Sequence, residues 1–208
     1  MPMKHDEGKA HIKTLGGERK YVEPAKGTVN PRVFIDRLAK KMPANVTVVA
    51  DVGQNQIWTC TEYKFRKEGR LLTSGGLGTM GYSVPAAIGA KMADNSRATV
   101  AICGDGAFQM SFMELATAVQ FGVDIKVVVM TNNRLGMVRE LQTNGYHDRQ
   151  TAVFLDGSPD FIKLAEAYGI PAMRVYDDDT MEKGVEMLAE HKGICLVEVV
   201  VDKDMPTL

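Results

Sequence analysis

Charge of one sign, paired cysteines and long apolar runs are all scarce in this chain. Its 208 residues carry a formal net charge of −1 with no block of like charge, which gives no footing for nucleic acid or a membrane surface as a partner. The three cysteines, Cys60, Cys103 and Cys195, are odd in number and widely spaced, so they read as free thiols in a reducing compartment. Cys103 and Cys195 fall inside apolar, strand-like runs and are expected to be buried. No apolar stretch approaches the roughly 18 residues of a membrane span. Met1 to Lys13 is polar and does not resemble a signal peptide, so a cytoplasmic protein is expected.

What is present is an ordinary globular composition, 45% apolar and 25% charged, enough for a sizeable core. Residues 1–28 lack periodicity and read as a linker or N-terminal arm, with His5 and His11 as solvated side chains. One α/β domain accounts for residues 29–208. Asn30-Pro31 supplies an N-cap and a proline at the first helical position, opening a helix to about Met42. A short strand over Val46–Ala50 leads into the polar loop 51–56. Tyr82–Ala93 reads as a helix, and Ser158-Pro159 as the start of another that Gly169 closes. Met173–Tyr176 and Ile194–Val201 read as strands. Asp177-Asp178-Asp179 looks like a metal cluster but suits a turn and N-cap before a helix at about residues 180–191.

The stretch that carries chemistry is Gly104-Asp105-Gly106 together with Asn132-Asn133. Ala98–Cys103 and Ile125–Thr131 read as buried strands ending at these two motifs. Between them, Phe112, Leu115, Ala116 and Val119 mark one face of a helix over 107–121. In an open parallel sheet, ligands collect beyond the carboxyl ends of strands, which would set Asp105 beside Asn133. A carboxylate and an amide carbonyl are hard oxygen donors that suit Mg²⁺ or Ca²⁺ rather than zinc. The glycines beside Asp105 leave room for a phosphate at a helix N-terminus. A second glycine run, Gly76-x-Gly78-x-x-Gly81, matches the dinucleotide fingerprint literally. It lacks a strand directly before it and an acidic residue at the required distance, so that reading is rejected.

Gly-Asp-Gly followed at this spacing by Asn-Asn resembles the cofactor motif of thiamine diphosphate enzymes, and the surrounding residues are similar to acetolactate synthase catalytic subunits. The resemblance implies an α/β three-layer sandwich with a mostly parallel central sheet, the thiamine diphosphate-binding fold. It implies Mg²⁺ held by Asp105, Asn133 and the Leu135 carbonyl, completed by diphosphate oxygens and water. Cofactor contacts are implied for Gly104, Asp105, Gly106 and Ala107, for the Gly136 and Met137 amides, and for Gly53, Gln54, Asn55 and Gln56. Many relatives have histidine where this chain has Asn55. The Gly78 carbonyl and Met80 amide would hold the aminopyrimidine, with the Met80 side chain wedged under the cofactor to keep it bent. Leu141 stands where most biosynthetic synthases have a tryptophan beside the substrate, which implies a roomier pocket.

The implied activity is decarboxylation of pyruvate and condensation with a second 2-oxoacid, as in branched-chain amino acid biosynthesis. The family also needs an activating glutamate from a pyrimidine-binding domain or subunit. This chain shows no equivalent, since Glu114 reads as structural. The chain alone is therefore expected to be inactive, and a homo-oligomer is implied. Two other readings stay open. One is the β-subunit of a split sulfopyruvate- or phosphonopyruvate-type decarboxylase. The other is a non-catalytic nucleotide- or phosphate-binding module.

Overall fold

The computed structural model describes residues 21–208, and the expected solvated His5 and His11, with most of the 1–28 arm, lie outside them. The fold is built on six strands, of which the four central ones are rich in β-branched residues and buried on both faces, as strands covered on both sides must be, while the two edge strands are partly exposed. In chain order these are β1 (Thr47–Ala50), β2 (Arg70–Thr73), β3 (Thr99–Gly104), β4 (Lys126–Thr131), β5 (Ala172–Val175) and β6 (Cys195–Val200). They form one sheet in the order β2-β1-β3-β4-β6-β5, and every described pairing is parallel. Alternate residues feed two cores. Val48, Val100, Ile102, Val128 and Val197 face one layer of helices, and Val49, Ala101, Cys103, Val127 and Leu196 face the other. The first layer contains α1 (Pro31–Lys41), α2 (Gln54–Glu62) and α8 (Asp178–Glu190). The second contains α3 (Ser83–Ala93), the short α4 (Asp105–Gln109) and α5 (Leu115–Gln120), and α7 (Phe161–Ala167). This is the expected three-layer α/β sandwich. No helix among the described residues is long and apolar enough to cross a membrane.

Local signals set most helix ends. The Asn30 side chain accepts from the Arg32 and Val33 amides ahead of α1. Asp177 and Thr180 form a reciprocal capping box before α8, so the acidic triplet is a cap and not a metal cluster. Cys103 and Cys195 are buried free thiols, and burial pushes Cys195 up to about 11, which keeps it protonated and inert.

Three expectations are corrected. The helix read over 107–121 starts at Asp105 and breaks at Met110 and Ser111 into α4, a 3₁₀ turn at Phe112–Glu114, and α5. The break falls where the Gly81 turn crowds Met110, and the buried residues become Phe108, Leu115 and Ala118 while Val119 is exposed. Leu71-Leu72-Thr73 does belong to a strand, because β2 pairs with β1 at the sheet edge. The glycines after it still do not open a helix: Gly78 and Gly81 have positive φ and α3 begins only at Ser83. Finally, α7 starts at Phe161 and not at Ser158-Pro159, because the Asp160 carboxylate accepts from the Ile162 and Lys163 amides.

α8 lies unusually close to the sheet. A Cβ on Gly184 would stand 2.6 Å from Val175 Cγ2 and 3.3 Å from Val197 Cγ1, both buried core atoms. Gly184→Ala should therefore cost about 1–3 kcal/mol of stability despite the higher helix propensity of alanine. A thermal unfolding midpoint at or above the parent's would contradict that packing.

Candidate functional site

Strands β1, β3 and β4 lie side by side at the centre of the sheet, and their carboxyl ends carry Asp51, Asp105 and Asn132-Asn133. The strand order reverses here, β2 lying on one side of β1 and β3 on the other, and such a switch point opens a crevice. A cleft of about 100 Å³ occupies it, lined among others by Gly53, Asn55, Met80, Asp105, Leu135 and Met137.

Asp105 opens α4 and is only 2% exposed. Its Oδ2 accepts from the amides of Asn133 (2.7 Å) and Asn132 (3.2 Å), and Oδ1 from that of Gly106 (2.8 Å). These bonds tie the end of β3 to the end of β4, the juxtaposition expected from the two motifs. Burial pushes the carboxyl up to about 6 even though the three amides favour the anion. A buried carboxylate that is costly to ionise gains most from a cation. Asn133 holds a left-handed backbone (φ 54°), a conformation asparagine tolerates, and is exposed. Its carbonyl accepts from the Leu155 amide, and its side chain has no hydrogen-bond partner among the described residues, leaving the amide oxygen available. The Leu135 carbonyl accepts the first bond of α6 (Gly136–Gly145) from Arg139 and keeps a second lone pair. The described residues contain no group of three or more His, Cys, Asp or Glu that could hold a metal. The donors at this point are thus oxygen only, with a single carboxylate. That set fits Mg²⁺ when an anionic ligand completes the shell.

The N-terminus of α6 provides for such an anion. No side chain caps it, the first amides of a helix have no intrahelical partner, and its first two residues, Gly136 and Met137, line the cleft with the Gln54 side chain packed over Gly136. Above α4, three apolar side chains converge on Gly106. A Cβ there would meet Leu135 Cδ2 at 2.8 Å, Leu155 Cδ1 at 3.2 Å and Met80 Cε at 3.3 Å. The Met80 tip therefore reaches the floor of the cleft beside the Asp105 turn.

The remaining expected residues divide. Asn55 is buried, donating to the carbonyls of Asp51 (2.8 Å) and Ile102 (3.2 Å), with its oxygen against Gly53 and Gly104 at the cleft. Gln54 lines the cleft, but its amide nitrogen donates to the Met205 carbonyl (2.9 Å), Thr207 Oγ1 (3.1 Å) and Glu140 Oε2 (3.3 Å). Its oxygen accepts from Asn132. Gln56 turns away to Thr73 at the end of β2. Gly78 is exposed and Leu141, one turn beyond Met137 on α6, is 60% exposed; neither lines the cleft. Glu114 is half-buried and accepts from Thr117 within its own turn.

Sequence reasoning missed three participants. Asp51 is fully buried at the end of β1, the position Asp105 holds after β3. Its place directly after an apolar strand was the available signal. Trp58 of α2 lines the cleft floor and donates to the Pro206 carbonyl (3.1 Å). Residues 202–207, which fold back after β6, had no signal of their own. They are held by Gln54, Trp58, Glu140 and by Arg32, which donates to the Thr207 carbonyl (2.7 Å).

Comparison with known proteins agrees with this geometry. The family described as "Thiamine pyrophosphate enzyme, C-terminal TPP binding domain" matches residues 51–199. The chain is 40% identical over 185 residues to the mitochondrial acetolactate synthase catalytic subunit of Aspergillus candidus, covering 88% of this chain and 26% of that protein. It is 38% identical over 181 residues to the acetolactate synthase large subunit of Lactococcus lactis, covering 87% and 31%. It is 33% identical over 204 residues to the acetolactate synthase isozyme 2 large subunit of Escherichia coli, covering 97% and 37%. The chain thus spans roughly a quarter to somewhat over a third of the length of these relatives. With an oxygen-donor site and a free helix N-terminus at the switch point of a parallel sheet, and with the family match across that whole region, the chain belongs to the thiamine pyrophosphate enzymes as their C-terminal TPP-binding domain.

Proposed function

We propose that this chain holds the diphosphate end of thiamine diphosphate, with Mg²⁺, as the C-terminal part of an acetolactate synthase. Such an enzyme decarboxylates pyruvate and joins the remaining two-carbon unit to a second 2-oxoacid. The observation that carries the reading is the pairing of Asp105 with the uncapped amides of Gly136 and Met137 across one cleft. Asp105, Asn133 and the Leu135 carbonyl would hold the metal, and the α6 amides would meet the diphosphate charge that the metal leaves unbalanced. Met80 would support the cofactor between its two ends. Thiamine diphosphate supplies the electron sink that 2-oxoacid decarboxylation needs, and the protein supplies binding, orientation and electrostatics.

The Gln54 nitrogen is engaged by residues 205–207, so its contact with the diphosphate would require that segment to give up its hydrogen bonds. The activating glutamate would come from a pyrimidine-binding domain or subunit, and a homo-oligomer in a reducing compartment such as the cytoplasm fits the three free thiols. The synthase relatives give the split-decarboxylase reading no particular support.

Calorimetry tests the binding. Thiamine diphosphate with Mg²⁺ should bind, and binding should fall away with EDTA, whereas NAD and ATP should not compete. Binding of only NAD or ATP would overturn the reading and restore the phosphate-binding module. Purified alone, the chain should not turn over pyruvate; steady turnover without a partner would refute the need for an external glutamate.

A further inference from the structure

Asp51 is wholly buried, and each of its carboxylate oxygens accepts from one short piece of backbone, residues 81–83. Oδ1 accepts from the Gly81 amide at 3.0 Å and from its own neighbour Val52 at 2.8 Å, and Oδ2 accepts from the Ser83 amide at 2.8 Å. The Asp51 backbone is itself fixed. Its amide donates to Ile102 of β3 at 2.8 Å, and its carbonyl accepts from Asn55 at 2.8 Å. Beyond this grip the segment is held by packing, with Gly81 against Met110 and with Met80 and Tyr82 against the second core, and not by a side-chain cap. Tyr82 precedes α3 without offering a side-chain cap, Gly81 has φ +83°, and residues 75–79 are exposed. Met80 is the next residue before the grip, and its Cε lies over Gly106 in the cleft.

We propose that Asp51 is the positioning residue for Met80: its carboxylate clamps the Gly81 and Ser83 amides and so sets the height of the Met80 side chain over the cofactor cleft. The inference rests on the thiamine diphosphate reading for its functional consequence, but not for its geometry. Charge-assisted bonds from a carboxylate to amides are shorter and stronger than neutral ones, and a buried anion with three donors cannot be replaced by water. Asparagine at this position keeps the shape but has one acceptor oxygen and adds two donors, so it can satisfy either the Gly81 side or the Ser83 side. The clamp on one side of Met80 then opens while β1 and β3 keep their pairing. Asp51 makes no contact with Asp105, Asn133 or the α6 amides in the hydrogen bonds described, so the diphosphate end should be untouched.

Two measurements on the full chain test this. In spectra of ¹³C-methyl-methionine-labelled protein, Asp51→Asn should weaken the contact of the Met80 methyl with the Gly106 α-protons while the Asn132 and Asn133 amide signals stay in place. In calorimetry with Mg²⁺, the variant should lose ~10-fold in affinity for thiamine diphosphate and keep its affinity for inorganic diphosphate, which has no part that reaches Met80. A residue that merely holds the fold would lower both affinities together. Equal losses, or an unmoved Met80 methyl, would overturn the clamp. Should the parent chain bind neither ligand, the cofactor reading fails and the methyl contacts alone decide the clamp. Should Asp51→Asn not fold, hydrogen exchange in the parent decides it. The Gly81 and Ser83 amides should be protected to the level of the β1–β3 pairing, and fast exchange at either would refute the grip.

Discussion

Replacing Asp105 by asparagine is expected to abolish metal-dependent binding of thiamine diphosphate, with a loss of at least about 100-fold, since the site has one carboxylate and no substitute for it. Asparagine is a better choice than alanine. The Asp105 oxygens accept three backbone amides, and alanine would leave buried donors on both β3 and β4 ends without partners. Persistence of Mg²⁺-dependent binding in Asp105→Asn would remove Asp105 from the ligand set.

The same residue makes a prediction in pH. Its carboxyl is raised by burial from an ordinary 3.8 to about 6 in the folded chain. The folded state therefore binds more protons than the unfolded one between those values. Its contribution is fully present below about 4 and is lost as pH rises through about 6. The difference corresponds to about 3 kcal/mol. Acids such as Asp94 and Asp177 are lowered by hydrogen bonds with nearby Ser96 and Thr180, and they act in the opposite direction. The Asp105 effect is therefore read as the difference between parent and Asp105→Asn in metal-free urea unfolding at pH 4, 5, 6 and 7. That difference should move in favour of the variant as pH rises, then level off above about 6.5. Saturating Mg²⁺ and cofactor should reverse it, because they bind the ionised form. A difference independent of pH would show that Asp105 ionises without penalty.

Trp58→Ala should produce the largest loss of stability from a single truncation, about 3–5 kcal/mol. The indole is 1% exposed and packs in the α1–α2–α8 core beneath the cleft. Its N–H also anchors Pro206, so truncation frees the segment that holds Gln54. Trp58 is the only tryptophan, so unfolding is best followed by circular dichroism. A shift of less than 1 kcal/mol would show that the cleft floor does not depend on the indole. Phe121→Ala, at a residue 64% exposed, is the control and should change little.

Much of the site was legible in the sequence because its parts are local. A glycine-flanked aspartate after one β-branched run, and an asparagine pair after the next, come together once both runs lie side by side in a sheet, where the Asp105 carboxylate accepts from both asparagine amides. The Asn30 and Asp177 caps were equally local, each needing only a few residues of chain. The apolar character of the strands on both faces determined burial on both sides, and hence the three layers.

Tertiary contacts decided the rest. The helix after Asp105 reads as continuous from its own periodicity and is interrupted at Met110 and Ser111, where the Gly81 turn lies against it. Leu71-Leu72-Thr73 is too short to declare itself and becomes a strand by pairing with β1. Gln54 and Asn55 are neighbours in a polar loop. One is captured by a segment 151 residues away and the other by strand carbonyls beneath the cleft. Asp51 looked like one polar residue among several, and its meaning depends on amides 30 and 32 positions downstream. Periodicity and spacing are properties of a short window, so they can name donors and strand ends. Which acceptor a buried amide or carboxylate finally meets depends on which distant backbone folding brings within about 3 Å. Only the assembled sheet and helices decide that.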